Sequence, residues 1–211
     1  MSAQPNSMGH RDPLPTARGR QTQAAIDAAA RTVIARKGIL ATTIADIAAE
    51  ANRSTASFYN YYDSKEAMVR EWALRFRNEA NERAKSVTRH GLTNRERVYE
   101  SAAAHWHTYR HRLAEMIGVS QLAMVNADFA EYWSDICAIP ISFITKMVRR
   151  AQAEGYCADD DPHLIAVAIV SMLNQFCYAQ LGGDNPDVDD QACITTLANI
   201  FYRAIYCRKA A

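Results

Sequence analysis

The sequence predicts an all-α protein with a small N-terminal domain and a larger C-terminal one. From Arg20 onward, apolar residues recur at three- and four-residue intervals, the spacing of one face of a helix. No stretch alternates apolar and polar residues well enough to predict a strand. Hydrophobic residues make up 49% and charged residues 22% of the 211-residue chain, a balance typical of soluble globular proteins. About nine helices are expected.

The first four helices are predicted from their capping residues. The first should end before Gly38, because glycine readily takes the left-handed conformation that often follows a helix. Thr42 or Thr43 should cap a short second helix and Ser54 a short third one, since a hydroxyl can accept a hydrogen bond from the free N–H groups of a first turn. Residues 63–64, Asp-Ser, should open a long fourth helix.

Three segments are expected along the chain. Residues 1–19 carry no apolar face to bury and should form a disordered N-terminal arm. Residues 20–66 should form the small domain and residues 67–211 the larger one. Pro140 should either kink a helix of the larger domain or begin another. Five further helices are predicted at residues 93–112, 113–125, 128–154, 163–181 and 188–207.

Neither a membrane span nor a secretory leader is expected. The most apolar stretch, residues 163–181, is interrupted by Ser171, Asn174 and Gln175. A spanning helix needs about 20 nearly uninterrupted apolar residues. The N-terminal segment is polar and lacks the apolar centre of a signal peptide. A cytoplasmic protein without membrane contact is therefore predicted.

Charge and motif content favour binding over catalysis. Residues 1–65 contain eight basic and five acidic side chains, whereas the remainder contains sixteen and eighteen. A basic first domain is a modest indication of nucleic-acid binding. The five cysteines show no paired spacing and are expected to be reduced thiols. Because no Gly-rich phosphate loop, GxSxG, HExxH or spaced Cys/His set is present, we expect no enzyme activity, cofactor or metal site.

The segment of residues 42–68 carries the most specific signal. It predicts two short helices joined by a tight turn, the helix–turn–helix arrangement in which the second helix enters the DNA major groove. That helix must begin with short side chains, because bulk would hold it out of the groove. Here it begins with Ser-Thr-Ala-Ser at residues 54–57. Phe58 and Tyr62, four residues apart, should anchor it inward.

This segment resembles the DNA-binding signature of the TetR family of regulators over about residues 20–72. The matching positions are Thr43, Ile44, Ile47, Ala48, Ser54, Phe58, Tyr59, Tyr62, Ser64, Lys65 and Glu66. The family's turn usually reads Gly-Val, where this chain has Asn52 and Arg53. Asn tolerates the left-handed conformation better than most residues, so the turn should survive. Arg53 should either contact DNA or remain solvated.

The resemblance implies which residues meet DNA. The base-facing positions would be Thr55, Ala56 and Ser57. Hydrogen bonds to phosphate would come from four side chains with donor groups: Thr43, Tyr59, Tyr61 and Lys65. Three arginines of the N-terminal region should form either a DNA-contacting arm or a solvated tail: Arg11, Arg18 and Arg20.

The resemblance also implies a homodimer and an effector site in the larger domain. One helix–turn–helix reads only a few base pairs, so two copies would share a palindromic operator. The last two predicted helices are strongly apolar, and their pairing residues are expected to be Val170, Leu173, Ile194, Leu197, Phe201 and Ala204. The effector site would be lined by large apolar and amide side chains: Trp72, Trp106, Tyr109, Met116, Tyr132, Trp133, Phe143, Met147, Met172, Asn174 and Gln175. Such a lining suits a small, mainly apolar ligand.

The sequence thus predicts a ligand-responsive transcriptional regulator, expected to be a repressor that its ligand releases from a double-stranded DNA operator. The long fourth helix joins the two domains and would carry the effect of the ligand to the recognition helices. The alternative is a helical adaptor or ligand-binding protein that has lost DNA binding. Salt-dependent retention on DNA would separate these two hypotheses.

Overall fold

The computed structural model describes residues 17–86, 91–182 and 187–206. Within these ranges the regular structure is helical and contains no strand, which confirms the predicted fold class. Residues 17–66 are called the head below, and residues 67–206 the body. The helices of the described ranges are α1 (Ala17–Lys37), α2 (Ile44–Glu50), α3 (Thr55–Tyr59), α4 (Lys65–Ser86), α5 (Asn94–Ala123), α6 (Ala127–Ala153), α7 (Pro162–Leu181) and α8 (Asp190–Ile205).

The predicted count of nine helices is wrong, because the described ranges contain eight. The helices expected at residues 93–112 and 113–125 form one helix, α5, which is kinked at Arg112. Only the backbone of Arg112 leaves the helical region, with φ −131° and ψ 29°. Pro140 lies inside α6 and does not begin another helix. Proline removes one backbone donor from a helix, a loss that a 27-residue helix held by packing tolerates.

The caps predicted for the head are confirmed. Gly38 follows α1 with a φ of +77° and donates its N–H to the Ile34 carbonyl at 2.8 Å. Thr43 caps α2, and the Ser54 hydroxyl accepts the Ser57 N–H at 3.2 Å at the start of α3. Asn52 adopts the left-handed conformation with φ 51°, as the turn before α3 requires. The caps and the turn of the helix–turn–helix therefore follow from its local sequence.

The first helix begins within the segment that was predicted to be a disordered arm. α1 begins at Ala17, so residues 17–19 belong to a helix and the prediction of disorder is wrong for them. Arg18 and Arg20 therefore lie on the first turn of α1, while Arg11 lies outside the described residues. The apolar face of α1 begins only at Ile26, which is why its first two turns gave no periodic signal.

One core runs through head and body. Buried side chains of α1 to α3 continue into those of α4 to α8, and Trp72 and Trp106 are almost fully enclosed. Among the described helices, α7 alone is long and apolar enough to cross a membrane by length and composition. One face of α7, including Ile169 and Leu173, is buried against other helices. A core helix of a globular protein passes the same test, so the finding is weak support for a membrane span.

The corner between α1 and α2 is tied to the body through Gln121 of α5. The backbone N–H of Ile39 donates to Gln121 Oε1 at 2.9 Å. A Cβ atom on Gly38 would lie only 2.6 Å from the same oxygen. Glycine at this position therefore meets two requirements, a positive φ and the close approach of the body.

We expect Gly38→Ala to lower the free energy of unfolding by more than Gly155→Ala does. Both positions have a positive φ, which costs a residue with a Cβ about 1–2 kcal/mol. At Gly155 nothing lies within 4 Å of the added Cβ, whereas at Gly38 the Gln121 amide must move. Displacing it breaks the bond to Ile39 and adds about 1 kcal/mol. Urea denaturation measures the difference, and equal losses in the two variants would contradict this account of the corner.

Candidate functional site

The recognition helix α3 presents short side chains outward and anchors itself with two aromatic rings. Thr55 and Ala56 are exposed and Ser57 is partly exposed, so all three base-facing candidates are accessible. Phe58 and Tyr62 are buried, with ring centroids 5.7 Å apart. A helix anchored on one side and lined with small polar groups at its N-terminal end has the shape that major-groove binding requires.

The hydroxyl of Tyr62 fastens the segment after α3 to α1. It donates to Asp27 Oδ1 at 2.7 Å and accepts from Gln23 Nε2 at 3.1 Å. Burial and the neighbouring Asp27 carboxylate raise the pKa of Tyr62 to about 12. The hydroxyl therefore stays protonated and keeps donating across the pH range in which proteins work. Sequence reasoning placed Tyr62 inward but gave no signal for its two polar partners.

Two of the phosphate candidates are already hydrogen-bonded within the head. The Thr43 hydroxyl donates to Asp46 Oδ2 at 2.6 Å and accepts the Asp46 N–H at 3.1 Å, so it serves the capping box of α2. The Lys65 ammonium donates to the carbonyls of Ile39 and Thr42 at 2.8 and 2.6 Å. An ammonium carries three donors, so one remains, and Glu66 Oε1 lies 4.0 Å from the same nitrogen. Lys65 thus holds the α1–α2 corner, a role that its place in the motif did not indicate.

The two tyrosine candidates differ in exposure. Tyr59 is 57% exposed and packs edge-to-face on Phe58, with ring centroids 5.9 Å apart. Tyr61 is partly buried and lines an open cleft of about 320 Å³ between the start of α1 and the end of α3. The cleft is lined by Arg18, Gly19, Thr22, Ser57, Asn60 and Tyr61. Thr22 and Asn60 were missed by sequence reasoning, because their place beside α3 follows from the start of α1 at Ala17.

The body contains a small polar cluster among apolar side chains. His105 Nε2 lies 3.0 Å from Asn174 Oδ1, and Asn174 Nδ2 donates to Cys137 Sγ at 3.6 Å. Because the amide oxygen can only accept, His105 carries its proton on Nε2. The His105 ring stacks on Tyr109, with centroids 5.4 Å apart. Trp106 Nε1 is buried with no hydrogen-bond partner among the described residues, an arrangement that costs free energy unless another acceptor is supplied.

The predicted effector residues divide into three groups. Buried members are Trp72, Trp106, Tyr109, Met116 and Met147, and partly buried members are Tyr132, Trp133, Met172 and Asn174. Phe143 and Gln175 are exposed, so the described chain does not enclose these two side chains. Gln175 lies on α7, which is apolar over most of its circumference, so composition alone could not tell which side turns inward. The open cleft beside α3, and a second open cleft lined by Leu92, Arg95, Glu96, Tyr99 and Glu100, lie away from these side chains.

The predicted pairing residues differ in burial within the single chain. Five of them are buried against the chain's own core: Val170, Leu173, Ile194, Leu197 and Phe201. Burial within the chain leaves these five side chains little surface with which to meet a second copy. Ala204 alone is exposed. The outward faces of α7 and α8 carry other apolar side chains, namely Leu164, Tyr178 and Ile200, which are 65%, 41% and 45% exposed.

We expect stability to fall as pH is lowered from about 6.5 to about 4, in part through His105. Burial lowers the pKa of His105 to about 4, from an ordinary value near 6.5. Between these pH values the unfolded chain binds a proton at His105 that the folded chain excludes. The contribution of His105 to the free energy of unfolding is therefore complete above pH 6.5 and is lost toward pH 4. A difference of two and a half units between the two pKa values corresponds to about 3 kcal/mol in the free energy of unfolding.

The control for this prediction is a second histidine of α5. Urea denaturation at several pH values should give a flatter curve for His105→Gln than for the wild type. His107→Gln, at an exposed position of the same helix, should leave the curve unchanged. If His105→Gln keeps the full wild-type dependence on pH, His105 is not the group responsible.

Two family profiles match the chain. One, described as bacterial regulatory proteins of the tetR family, matches residues 26–72. The other, the C-terminal domain of the transcriptional regulator EthR, matches residues 96–207. The first match covers α2, α3, most of α1 and the start of α4, and the second covers almost all of the body after α4.

Two curated proteins illustrate the likeness. The HTH-type transcriptional regulator EthR of Mycobacterium tuberculosis (strain ATCC 25618 / H37Rv) is 24% identical over 192 residues, which span 89% of this chain and 88% of that protein. The HTH-type transcriptional repressor KstR2 of Rhodococcus jostii (strain RHA1) is 30% identical over 131 residues, 56% of this chain and 63% of that protein. Both are named as regulators of transcription and neither as an enzyme.

Solved structures share the fold. A bacterial regulatory protein in the tetR family from Rhodococcus RHA1 has a TM-score of 0.70 at 20% identity, covering 90% of this chain and 99% of that one. The transcriptional regulator FadR from Bacillus subtilis, in complex with stearoyl-CoA, has a TM-score of 0.59 at 18% identity, covering 87% and 100%. The arrangement of helices is therefore common to chains of very different sequence.

Proposed function

The chain belongs to the TetR family of bacterial regulatory proteins, and we propose that its head reads a palindromic operator as part of a dimer while its body binds a mainly apolar effector. It is a DNA-binding, ligand-responsive transcriptional regulator of the helix–turn–helix type. The observation that carries the proposal is the recognition helix, which is anchored by Phe58 and Tyr62 and leaves Thr55 and Ala56 exposed.

The base edges would be read by Thr55, Ala56 and Ser57. Short hydroxyl side chains and a methyl group can approach bases closely, and an alanine methyl packs against the methyl group of thymine. Tyr59 is about half exposed, and its hydroxyl and the remaining donor of Lys65 would bind phosphate oxygens on either side of the recognition helix α3. The Thr43 hydroxyl already donates its proton to Asp46, so it would not donate to a phosphate. Thr43 would instead support DNA binding by capping the start of α2.

The cleft beside α3 would seat a further backbone phosphate. It is lined by Arg18 and by the hydroxyl residues Thr22, Ser57 and Tyr61, and the Thr22 hydroxyl already donates to the Arg18 carbonyl at 3.1 Å. A guanidinium group and the hydroxyls of Ser57 and Tyr61 in one open groove suit an anion of phosphate size. Arg18 would therefore act from the ordered first turn of α1, and no mobile arm is required for this contact.

The effector would bind in the body near the His105–Asn174 cluster. Large apolar side chains surround it, and the unpaired Trp106 Nε1 and the two polar side chains could serve a polar group of the ligand. Stearoyl-CoA in the Bacillus subtilis FadR structure supports an effector with a long apolar part. The ligand would release the protein from DNA, which makes it a repressor, as KstR2 is named.

The dimer would form through the outward faces of α7 and α8. On α7 the exposed positions 164, 168, 171, 175 and 178 follow one another at intervals of three and four residues, so they form a single stripe. Ile200 and Ala204 face outward on α8. Small and apolar residues on two neighbouring helices suit a four-helix interface between two copies. The protein would act in the cytoplasm, with residues 20–66 as its DNA-binding domain and residues 67–211 as its effector and dimerisation domain.

Footprinting on the DNA upstream of the protein's own gene tests the proposal. We expect two protected half-sites related by two-fold symmetry and separated by about one helical turn, roughly 34–36 Å. Addition of fatty acyl-CoA probes of increasing chain length should then weaken the footprint if the effector class is as proposed. Protection of a single half-site by a stable monomer would contradict the dimer, and a footprint that no apolar probe changes would contradict the effector class.

A further inference from the structure

Four charged side chains form a continuous chain across the junction of head and body. Arg31 of α1 donates through Nε to Glu115 Oε1 of α5 at 3.0 Å. The same oxygen lies 3.8 Å from Arg112 Nη1, and Arg112 Nη2 donates to Glu79 Oε2 of α4 at 2.5 Å. The ion pairs therefore connect α1 of the head to α5 and α4 of the body.

Glu115 is the buried centre of this chain. Its side chain is 3% exposed, whereas those of Arg31, Arg112 and Glu79 are partly exposed. A buried carboxylate is strongly destabilising unless it is paired, so any movement of α1 away from α5 must overcome the loss of that pairing. Arg31 also lies over the Trp72 ring of α4, with its guanidinium carbon 4.6 Å from the ring centroid. Arg31 is thus held between an anion on α5 and an aromatic face on α4.

The kink of α5 coincides with this cluster. Arg112 is the residue of α5 whose backbone is non-helical, and its side chain is the one that bridges Glu115 and Glu79. The kink divides α5 into two segments, residues 94–111 and residues 113–123. The backbone irregularity and the ion pairs therefore lie at the same turn.

The two segments of α5 contact different parts of the molecule. Residues 94–111 carry His105, Trp106 and Tyr109 of the proposed effector site, and Tyr99 accepts a hydrogen bond from Gln191 Nε2 of α8 at 2.9 Å. Residues 113–123 carry Glu115 and Gln121, which hold α1 and the α1–α2 corner. Residues 94–111 therefore contact the interior of the body, and residues 113–123 contact the head.

We propose that Arg112 is the hinge of α5 and that the Arg31–Glu115 ion pair makes the head follow it. A ligand that changes the bend at Arg112 would rotate residues 113–123 and would carry α1, and with it α3, to a new position. Glu115 and Arg31 act here as positioning residues and touch neither DNA nor effector. The inference rests on the proposed function, because it assigns a route between the two proposed sites.

Thermodynamic linkage allows the hinge to be tested without knowledge of the effector. If the head and the hinge are coupled, operator binding at the head must change the stability of the hinge by the same factor by which the hinge changes operator affinity. Hydrogen–deuterium exchange of the full chain, measured with and without an operator duplex selected from a random library, reports this change at residues 108–116. We expect operator binding to change their exchange rates about tenfold in the wild type.

The variants are Glu115→Gln and Arg31→Gln, with Glu100→Gln as the matched control. Each of the first two removes one charge of the buried pair, and we expect the DNA-dependent change in exchange to fall below about twofold. Glu100 is exposed on the same helix, away from the cluster, and its variant should respond as the wild type does. Because Arg31 is partly exposed, Arg31→Gln should fold even if the buried Glu115→Gln does not.

The outcomes separate the hinge from the function on which it rests. A wild type that binds its operator without any change in exchange at residues 108–116 overturns the hinge and leaves the regulator standing. A wild-type response that persists in Arg31→Gln also overturns the proposal, because the ion pair would then be a purely structural contact. Failure of the folded wild type to bind any selected duplex would overturn both.

Discussion

Ala56→Glu is expected to reduce operator affinity by at least about 100-fold. Ala56 is exposed near the N-terminal end of α3. In the proposed complex its side chain would have to fit between base edges and phosphates. The carboxylate would add bulk in the groove and repulsion from the phosphate backbone, in addition to the loss of about 1–3 kcal/mol from one base contact. An acidic side chain in a first helical turn is favourable to the helix, so the head should remain folded.

Anisotropy titration of a labelled operator duplex measures this loss. The matched control is Ala104→Glu, which adds the same charge at an exposed position of α5 in the body. We expect the control to bind within about twofold of the wild type, since a distant exposed charge is largely screened by salt. Equal loss in both variants would mean that net charge, and not the position of residue 56, is responsible.

Ile200→Glu is expected to weaken the dimer by on the order of 100-fold or more. In the proposed dimer, two-fold symmetry would place the substitution in the interface twice, so two partly buried apolar side chains would be lost and two carboxylates would enter apolar surroundings. Burial of each exposed isoleucine surface contributes roughly 1 kcal/mol at about 25 cal/mol per Å². The monomer should remain stable because Ile200 is 45% exposed in the isolated chain. Operator affinity should fall with the dimer.

Sedimentation velocity over a range of protein concentrations measures the dissociation constant. Met124→Glu is the control, because Met124 is 80% exposed but lies at the end of α5 and not on the α7–α8 face. We expect Met124→Glu to remain dimeric. Dissociation of Met124→Glu together with an intact Ile200→Glu dimer would place the interface elsewhere on the body.

The fold of the head could be predicted because its signals are local. Gly38, Thr43, Asn52 and Ser54 each specify a cap or a turn through their own backbone and side-chain chemistry. The helix count failed at Arg112, where two helices were expected and the chain forms one kinked helix. Whether the chain there breaks or only bends depends on contacts with α1 and α4, which no sequence window contains.

The orientation of the body helices could not be predicted for the same reason. The apolar residues of α7 cover nearly its whole circumference, so its periodicity does not reveal the inward face. Val170 and Leu173 were expected at the interface and instead fill the core, while Leu164 and Tyr178 face outward. The hydrogen bonds of Lys65 could not be predicted from the sequence either. The fold brings two backbone carbonyls near its ammonium group, and they accept two of its three donors.

A salt series of anisotropy titrations, with the full chain and the duplex upstream of its own gene, tests the central claim most directly. Binding should survive an excess of random DNA and should weaken roughly a thousandfold or more between about 50 and 200 mM salt, as several phosphate contacts in each head require. Such a result, abolished by Ala56→Glu and retained by Ala104→Glu, is what the regulator account predicts. A folded dimer, freed of any co-purified ligand, that binds neither this duplex nor any selected one at the lowest salt concentration would contradict it.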